Sequence, residues 1–341
     1  MKKVVELKNI NMSFAKKGKF FEKEKNIHVL RDINLDIYEG EIVAVVGESG
    51  CGKTTIGKII TGILKPTSGE MLVEGENIYR FDIKRFFRTR EKVQFVQQDS
   101  YAALNPVKTI AASLSAPIRH HYRTLSLEER GKMINDLLLK VGLNPPQQFL
   151  DKYPHMCSGG QRQRILMARA ISLQPSLIVA DEPVSMIDVS MRLSILNLMS
   201  SLNKSEHISF VYITHDLATA RYIAQDGRIV VMYLGEIVEE GKIDDVISHP
   251  LHPYTKALIA AVPTPDPKIA KQTKEIPIKS MDLGSLENRK EGCVFFDRCP
   301  YASEECKNKI DYQVINNIKV KCIKAKELDK WELLVTSLDL V

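Results

Sequence analysis

Gly47-Glu48-Ser49-Gly50-Cys51-Gly52-Lys53-Thr54-Thr55 fits the phosphate-loop pattern G-x-x-x-x-G-K-[ST]. Ahead of it runs Glu41-Ile42-Val43-Ala44-Val45-Val46, an apolar, β-branched stretch bounded by Gly40 and Gly47, the profile of a buried parallel strand. Behind it Ile56, Ile59, Ile60 and Ile63 recur at helical spacing, which predicts a helix opening at the loop. Strand, glycine loop and helix form the context in which this motif holds phosphate. Successive backbone N–H groups turn inward, and the helix start adds partial positive charge. Lys53 is placed to reach the β- and γ-phosphates, and the Thr54 hydroxyl to ligate magnesium, a hard cation that takes oxygen donors. Gly47, Ser49, Gly50, Cys51, Gly52 and Thr55 complete the expected cradle.

Other strands lead to the same place. Val93-Gln94-Phe95-Val96 is a short apolar strand, and Gln98 just beyond it is a candidate to ligate magnesium and orient water. Leu177-Ile178-Val179-Ala180-Asp181-Glu182 delivers two carboxylates at a strand's carboxyl end, where open α/β sheets hold their ligands. There Asp181 would hold the magnesium, and Glu182, pointing the other way, would polarise the attacking water. Ser185-Met186-Ile187-Asp188 follows, and Ile208 to Thr214 is a further buried strand with His215 at its end, within reach of a γ-phosphate. From about Tyr101 to Tyr153 the pattern turns helical and polar, with Leu137, Leu138, Val141 and Leu143 on apolar faces and Pro145-Pro146 breaking the run. It ends at Ser158-Gly159-Gly160-Gln161, a second anion-binding helix start, without a lysine. Two such starts in one chain suggest that they serve one nucleotide held between two subunits.

Val4 to Phe14 alternates as an edge strand would, and Phe14 at its end is either a core residue or an aromatic that stacks on adenine. Lys16, Lys17, Lys19, Lys23 and Lys25 make a charged, solvated loop. Lys84 to Lys92 reads as a short amphipathic helix burying Phe86 and Phe87. The 341 residues suffice for one large domain and a smaller one, and 44% hydrophobic residues match an ordinary globular core. No apolar run approaches the roughly eighteen residues of a membrane span. The charged start, Met1 to Lys8, argues against a signal peptide, so a cytoplasmic chain with reduced or metal-bound cysteines is expected. A net charge of +6 is compatible with nucleic acid or an anionic membrane face and decides between neither.

The order of these motifs resembles the ATPase subunit of an ATP-binding-cassette (ABC) transporter over residues 1 to about 245. The fold implied is an α/β phosphate-loop core with an antiparallel β edge subdomain and an inserted helical subdomain at about 99–170. The resemblance makes Phe14 the adenine-stacking aromatic and Gln98 the residue that contacts magnesium and senses the membrane subunit. Ser158, Gly159, Gly160 and Gln161 become the signature that acts on a partner's ATP. Glu182 is the catalytic base, Asp188 part of a dimer-contacting loop and His215 the switch histidine. The leucine usual before the signature serine is Cys157 here, a thiol that could be oxidation-sensitive. Chromosome-maintenance and DNA-repair ATPases share the signature but insert long coiled coils, and residues 56 to 150 hold no sustained heptads. Ribosome-acting cassette proteins carry two cassettes in one chain, and one phosphate loop is present here.

After the cassette, Ser248-His249-Pro250-Leu251-His252-Pro253-Tyr254-Thr255-Lys256-Ala257-Leu258 resembles the extension carried by oligopeptide and dipeptide importers, a group that also moves nickel and oligosaccharides. Residues 246 to 341 are read as this extension, with Pro263, Pro265 and Pro267 marking a linker. Beyond it Cys293, Cys299, Cys306 and Cys322 stand as C-x5-C-x6-C-x15-C. Four thiolates can bind zinc or an iron–sulfur cluster, and no nearby histidine completes a mixed site. The resemblance favours [4Fe–4S], with zinc as the alternative. It further implies ATP and Mg²⁺, a second and non-identical ATPase subunit, two transmembrane permeases, an extracytoplasmic solute-binding protein, and a place on the inner face of the cell membrane. Nucleic acid is not expected as a partner.

Overall fold

In the computed structural model, which describes residues 2–16, 25–262, 276–282, 284–286 and 291–328, the strands assemble into two sheets. The middle of the lysine-rich loop (Lys17, Lys19, Lys23) and the triple-proline linker lie outside the described residues. β1 (Lys3–Lys16) and β2 (Lys25–Tyr38) are long antiparallel partners. β1 also pairs with β4 (Ser68–Val73), which pairs with β5 (Glu76–Asn77), in the order β2-β1-β4-β5. It is therefore interior to this antiparallel sheet, not the edge strand expected. Alternation reports which face a residue takes, and cannot tell how many neighbours the strand has.

The larger sheet runs from β11 (Gln313–Ile315), β12 (Ile318–Val320) and β10 (Glu236–Lys242) through β9 (Arg228–Tyr233), β3 (Ile42–Val46), β8 (Ser209–Thr214) and β7 (Leu177–Asp181) to β6 (Val93–Val96). Its parallel half is β6, β7, β8, β3 and β9. Both faces of β3 are covered. Ala44 and Val46 face one apolar cluster, while Val43 and Val45 face the other, beneath the antiparallel sheet. This is why its sequence is apolar throughout instead of alternating. Helix α1 (Lys53–Ile60) buries Ile56, Ile59 and Ile60 completely, each contributing about 1.5–3 kcal/mol. Ile63 falls past the end of that helix and is 43% exposed, because Gly62 takes a left-handed turn with φ +64.

α2 (Ile83–Glu91) leads into β6 as expected, yet it has no buried residue: Phe86 is half-buried and Phe87 is exposed. The helical lobe follows as α3 (Ile110–His121), α4 (Leu127–Lys140), α5 (Gln147–Leu150) and α6 (Gly159–Ile171). Leu137, Leu138, Val141 and Leu143 are all buried in it. Ser126 caps α4 through a reciprocal box with Glu129. α7 (Val189–Glu206) and α8 (Leu217–Ile223) alternate with the strands, giving the doubly wound α/β arrangement.

The chain then turns back on itself. β9 and β10 (Glu236–Lys242) form an antiparallel hairpin, followed by α9 (Ile243–Ser248) and α10 (Pro253–Ala260). β11 (Gln313–Ile315) and β12 (Ile318–Val320) turn at Asn316-Asn317, both with positive φ, as a tight hairpin demands. β12 pairs with β10, so the cysteine-bearing extension continues the main sheet.

Candidate functional site

The phosphate loop leaves the carboxyl end of β3 and opens α1. Two glycines are dictated by space. A side chain at Gly47 would collide with the Met232 carbonyl oxygen, and one at Gly52, where φ is +103, would sit 2.7 Å from Leu30 Cδ2. Lys53 is buried inside its own loop, with Nζ donating to the carbonyls of Gly47 at 2.7 Å and Glu48 at 2.8 Å. Ser49, Gly50 and Thr54 are exposed, Thr55 is half-buried, and Cys51 is buried with Sγ 3.8 Å from Lys53 Nζ. Burial pushes the Cys51 thiol above its ordinary value, with the Lys53 ammonium opposing the shift.

The neighbouring parallel strands bring the polar residues together. Asp181, at the end of β7, is 5% exposed; burial pushes its carboxyl above the usual carboxylate range, against a hydrogen bond with the Thr54 hydroxyl. Next to it Glu182 takes a left-handed φ of 44, held by its N–H donating to Ile213 O at 2.9 Å. That turn separates the two carboxylates. Gln98, beyond β6, donates from Nε2 to Glu182 Oε2 at 3.1 Å, and His215 Nδ1, beyond β8, lies 2.9 Å from Glu182 Oε1. Three residues far apart in sequence thus meet at the carboxyl ends of three adjacent strands, beside the phosphate loop on β3.

The second helix start stands apart from this group. Ser158 Oγ accepts from Gln161 N at 3.3 Å, and Gln161 Oε1 accepts from Ser158 N at 3.0 Å, a reciprocal cap on α6. The S-x-x-Q spacing signals this cap in the sequence, although reading it as an anion site alone misses it. A Cβ at Gly159 would lie 3.3 Å from Ile187 Cγ2, and one at Gly160 3.0 Å from Met191 Cε, so the segment around Asp188 lies directly on the signature. Asp188 is exposed, as are Met186, Val189 and Leu193 nearby. Phe14 is 41% exposed at the end of β1, which leaves its ring available to a flat partner and removes the core reading. Cys157 is buried, and burial raises its thiol above the ordinary value. Oxidation sensitivity is therefore not favoured there.

A model of the ABC transporter family matches residues 30–185, and a model of the oligopeptide/dipeptide transporter C-terminal region matches residues 238–306. The oligopeptide transport ATP-binding protein OppF of Salmonella typhimurium is 41% identical over 308 residues, which cover 89% of this chain and 91% of that one. This chain belongs to the ATP-binding subunits of oligopeptide/dipeptide ABC transporters. The dipeptide transport ATP-binding protein DppF of Haemophilus influenzae is 42% identical over 293 residues, covering 86% of this chain and 87% of that one. Among solved structures, the dimeric ATP-binding cassette MJ0796, bound to ADP and Pi in a post-hydrolysis state, superposes with a TM-score of 0.62 at 33% identity. It covers 70% of this chain and 98% of that one. As an ABC ATP-binding subunit the chain is an ATPase.

In this ABC subunit the extension gathers all four late cysteines around one pocket with His252, Phe296, Tyr301 and Ile310. Cys299, Cys306 and Cys322 are buried, and Cys293 is half-buried. Burial pushes the Cys293 thiol up to about 12 and the Cys322 thiol up to about 11. Among the described residues no group of three or more His, Cys, Asp or Glu side chains is placed to hold a metal ion. Spacing gave no histidine partner, because His252 arrives from α10, remote in sequence.

Proposed function

We propose that the chain binds MgATP in the phosphate loop and that its hydrolysis drives uptake of di- or oligopeptides through two membrane-spanning permeases. The observation that carries the chemistry is the meeting of Gln98, Glu182 and His215 at one strand edge beside Lys53 and Asp181. Thr54, Gln98 and Asp181 are the oxygen donors that would hold magnesium. Glu182 acts as general base on the attacking water, and His215 holds that carboxylate and contacts the γ-phosphate. Lys53 and the loop N–H groups neutralise developing charge. Phe14 stacks on adenine.

A second ATPase subunit completes the site, presenting its own counterpart of Ser158 to Gln161 to this chain's nucleotide. The exposed Met186, Val189 and Leu193 around Asp188 support this as a contact face, and the partner is a non-identical subunit. The groove lined by Ile63, Phe87, Arg90, Phe95, Pro117 and His120 takes a short permease helix. Among the described residues no helix is long and apolar enough to cross a membrane; the place of the subunit on the inner face, docked through that groove, rests on its relatives being transport ATP-binding proteins. A solute-binding protein outside the membrane delivers the peptide. The peptide cargo rests on relatives named for oligopeptide and dipeptide transport.

Cys293, Cys299, Cys306 and Cys322, which line one pocket, are the residues that would hold a [4Fe–4S] cluster, with zinc as the alternative. His252 Nδ1 accepts from Tyr254 N at 3.0 Å, so the neutral ring carries its proton on Nε2, a buried N–H that lines the same pocket and has no partner among the described residues. A sulfur atom is the acceptor such a donor lacks. When bound, the cluster would cross-link the extension; the ATPase chemistry needs no electron from it.

Deleting the gene should abolish uptake of a labelled dipeptide or tripeptide, and restoring the wild-type chain, but not Lys53→Ala, should recover it. Unchanged peptide uptake in the deletion would overturn the cargo. Anaerobic purification should give a brown protein with stoichiometric iron, and colourless, iron-free protein would end the cluster assignment.

A further inference from the structure

Glu48, the second residue of the phosphate loop, is gripped from the extension. Arg298 Nη1 donates to both Glu48 carboxylate oxygens at 2.9 Å, and the Glu48 N–H donates to the Tyr254 hydroxyl at 2.9 Å. The Glu48 carbonyl meanwhile accepts from Lys53 Nζ at 2.8 Å. Every polar group of this one residue is therefore fixed, two of them from outside the nucleotide-binding core. The grip is itself well supported. Arg298 is 8% exposed, reaches the Tyr233 hydroxyl at 3.3 Å and lies over the Tyr233 and Phe295 rings. Tyr233, Tyr254 and Phe295 pack ring against ring at 4.5 to 5.5 Å. Arg298 precedes Cys299, whose N–H donates to Phe295 O at 2.9 Å, so one turn carries both the thiol and the guanidinium.

We propose that Arg298 and Tyr254 are positioning residues for ATP: the extension fixes Glu48, and through it the loop whose N–H groups take the phosphates. The folded state of the extension then sets nucleotide affinity. Neither residue touches nucleotide, and a guanidinium left buried without its carboxylate would be strongly unfavourable, which keeps the grip closed while the extension is intact. The proposal rests on the phosphate loop being the nucleotide site. Coupling of this kind is reciprocal, so nucleotide on the loop must also steady the turn at 293–299.

The test is equilibrium binding of a non-hydrolysable fluorescent ATP analogue with Mg²⁺ to the full chain, alongside its thermal midpoint. Arg298→Gln should weaken binding about 5- to 20-fold, within the usual range of coupling between sites, and Arg298→Lys should recover part of the loss. Glu48→Ala should weaken it similarly, and the double variant should bind no worse than the weaker single one. Tyr312→Phe serves as the structural control, since it removes a different hydroxyl by which the extension holds the main sheet, bonded to Ile237 O of β10 at 2.9 Å and not to Glu48. It should lower the thermal midpoint and leave affinity within about twofold. Amide exchange at residues 293–299 should slow when the analogue is added. Affinity within twofold of wild type in Arg298→Gln, additive losses in the double variant, or an equal loss in Tyr312→Phe would each overturn the proposal. Wild-type binding in Lys53→Ala would instead remove the phosphate-loop reading and leave the grip a purely structural contact.

Discussion

Glu182→Gln separates chemistry from architecture at this site. The carboxylate has two contacts, Gln98 Nε2 at 3.1 Å on one oxygen and His215 Nδ1 at 2.9 Å on the other. A glutamine can keep both: its carbonyl oxygen accepts from Gln98, and its NH₂ donates to an unprotonated Nδ1. The side-chain volume and the left-handed backbone at 182 are unchanged, so the stability change should stay within about 0.5 kcal/mol. What disappears is the basic oxygen facing the water. General-base assistance is worth about 10²–10⁴ in rate, or about 2.7–5.4 kcal/mol of barrier. Steady-state phosphate release at saturating ATP from the assembled transporter should fall by that factor. Nucleotide affinity and thermal midpoint, measured on the same preparation, should hold. Turnover above about a tenth of wild type would leave less than about 1.4 kcal/mol for the group to supply. Glu182 would then not be the base, and the network would have to be read as structural.

Phe14→Ala should weaken ATP about 5- to 100-fold while leaving competition by inorganic tripolyphosphate unchanged, because only the base loses its stacking surface; parallel losses for both ligands would refute stacking. Gly47→Ala forces the loop away from the Met232 carbonyl and should cut nucleotide affinity by about 100-fold in a folded protein, checked by titration and circular dichroism. Buried Glu239 accepts from Leu251 N at 2.7 Å and His252 N at 2.9 Å. Glu239→Gln leaves one of those donors facing an NH₂ and should destabilise the fold by about 1–3 kcal/mol in denaturant titration, an unchanged midpoint being the contrary result.

What could be read from the chain was what is local. The run from Glu41 to Ile60 announces strand, loop and helix because each signal, an apolar stretch, fixed glycines and a helical period, acts within a few residues. The carboxyl-end rule then places Gln98, Asp181, Glu182 and His215 near one another once their strands are taken as parallel neighbours. The failures are of another kind. The exposure of Phe87 and the interior position of β1 depend on which element lies alongside, and a one-dimensional pattern does not contain that. His252 beside the cysteines and Arg298 on Glu48 are the extreme case, since each contact joins segments remote in sequence. The reciprocal cap at Ser158 was legible from S-x-x-Q and was obscured by the stronger suggestion of an anion site.

The contacts that could not be read from sequence are those that make the extension part of the cassette. Backbone pairing runs without a break from β12 through β10 and β9 to β3, the strand that presents the phosphate loop. Side chains repeat the same route: Glu239 on β10 takes the N–H groups at the start of α10, and Tyr254 on that helix takes the N–H of Glu48. Two paths that share β10 and join the same pair of regions make partial opening of one unfavourable without the other, which is the physical meaning of a cooperative unit. A cysteine pocket at the far end of both paths is therefore placed to influence the nucleotide site through stability alone, with no electron transferred and no separate moving part.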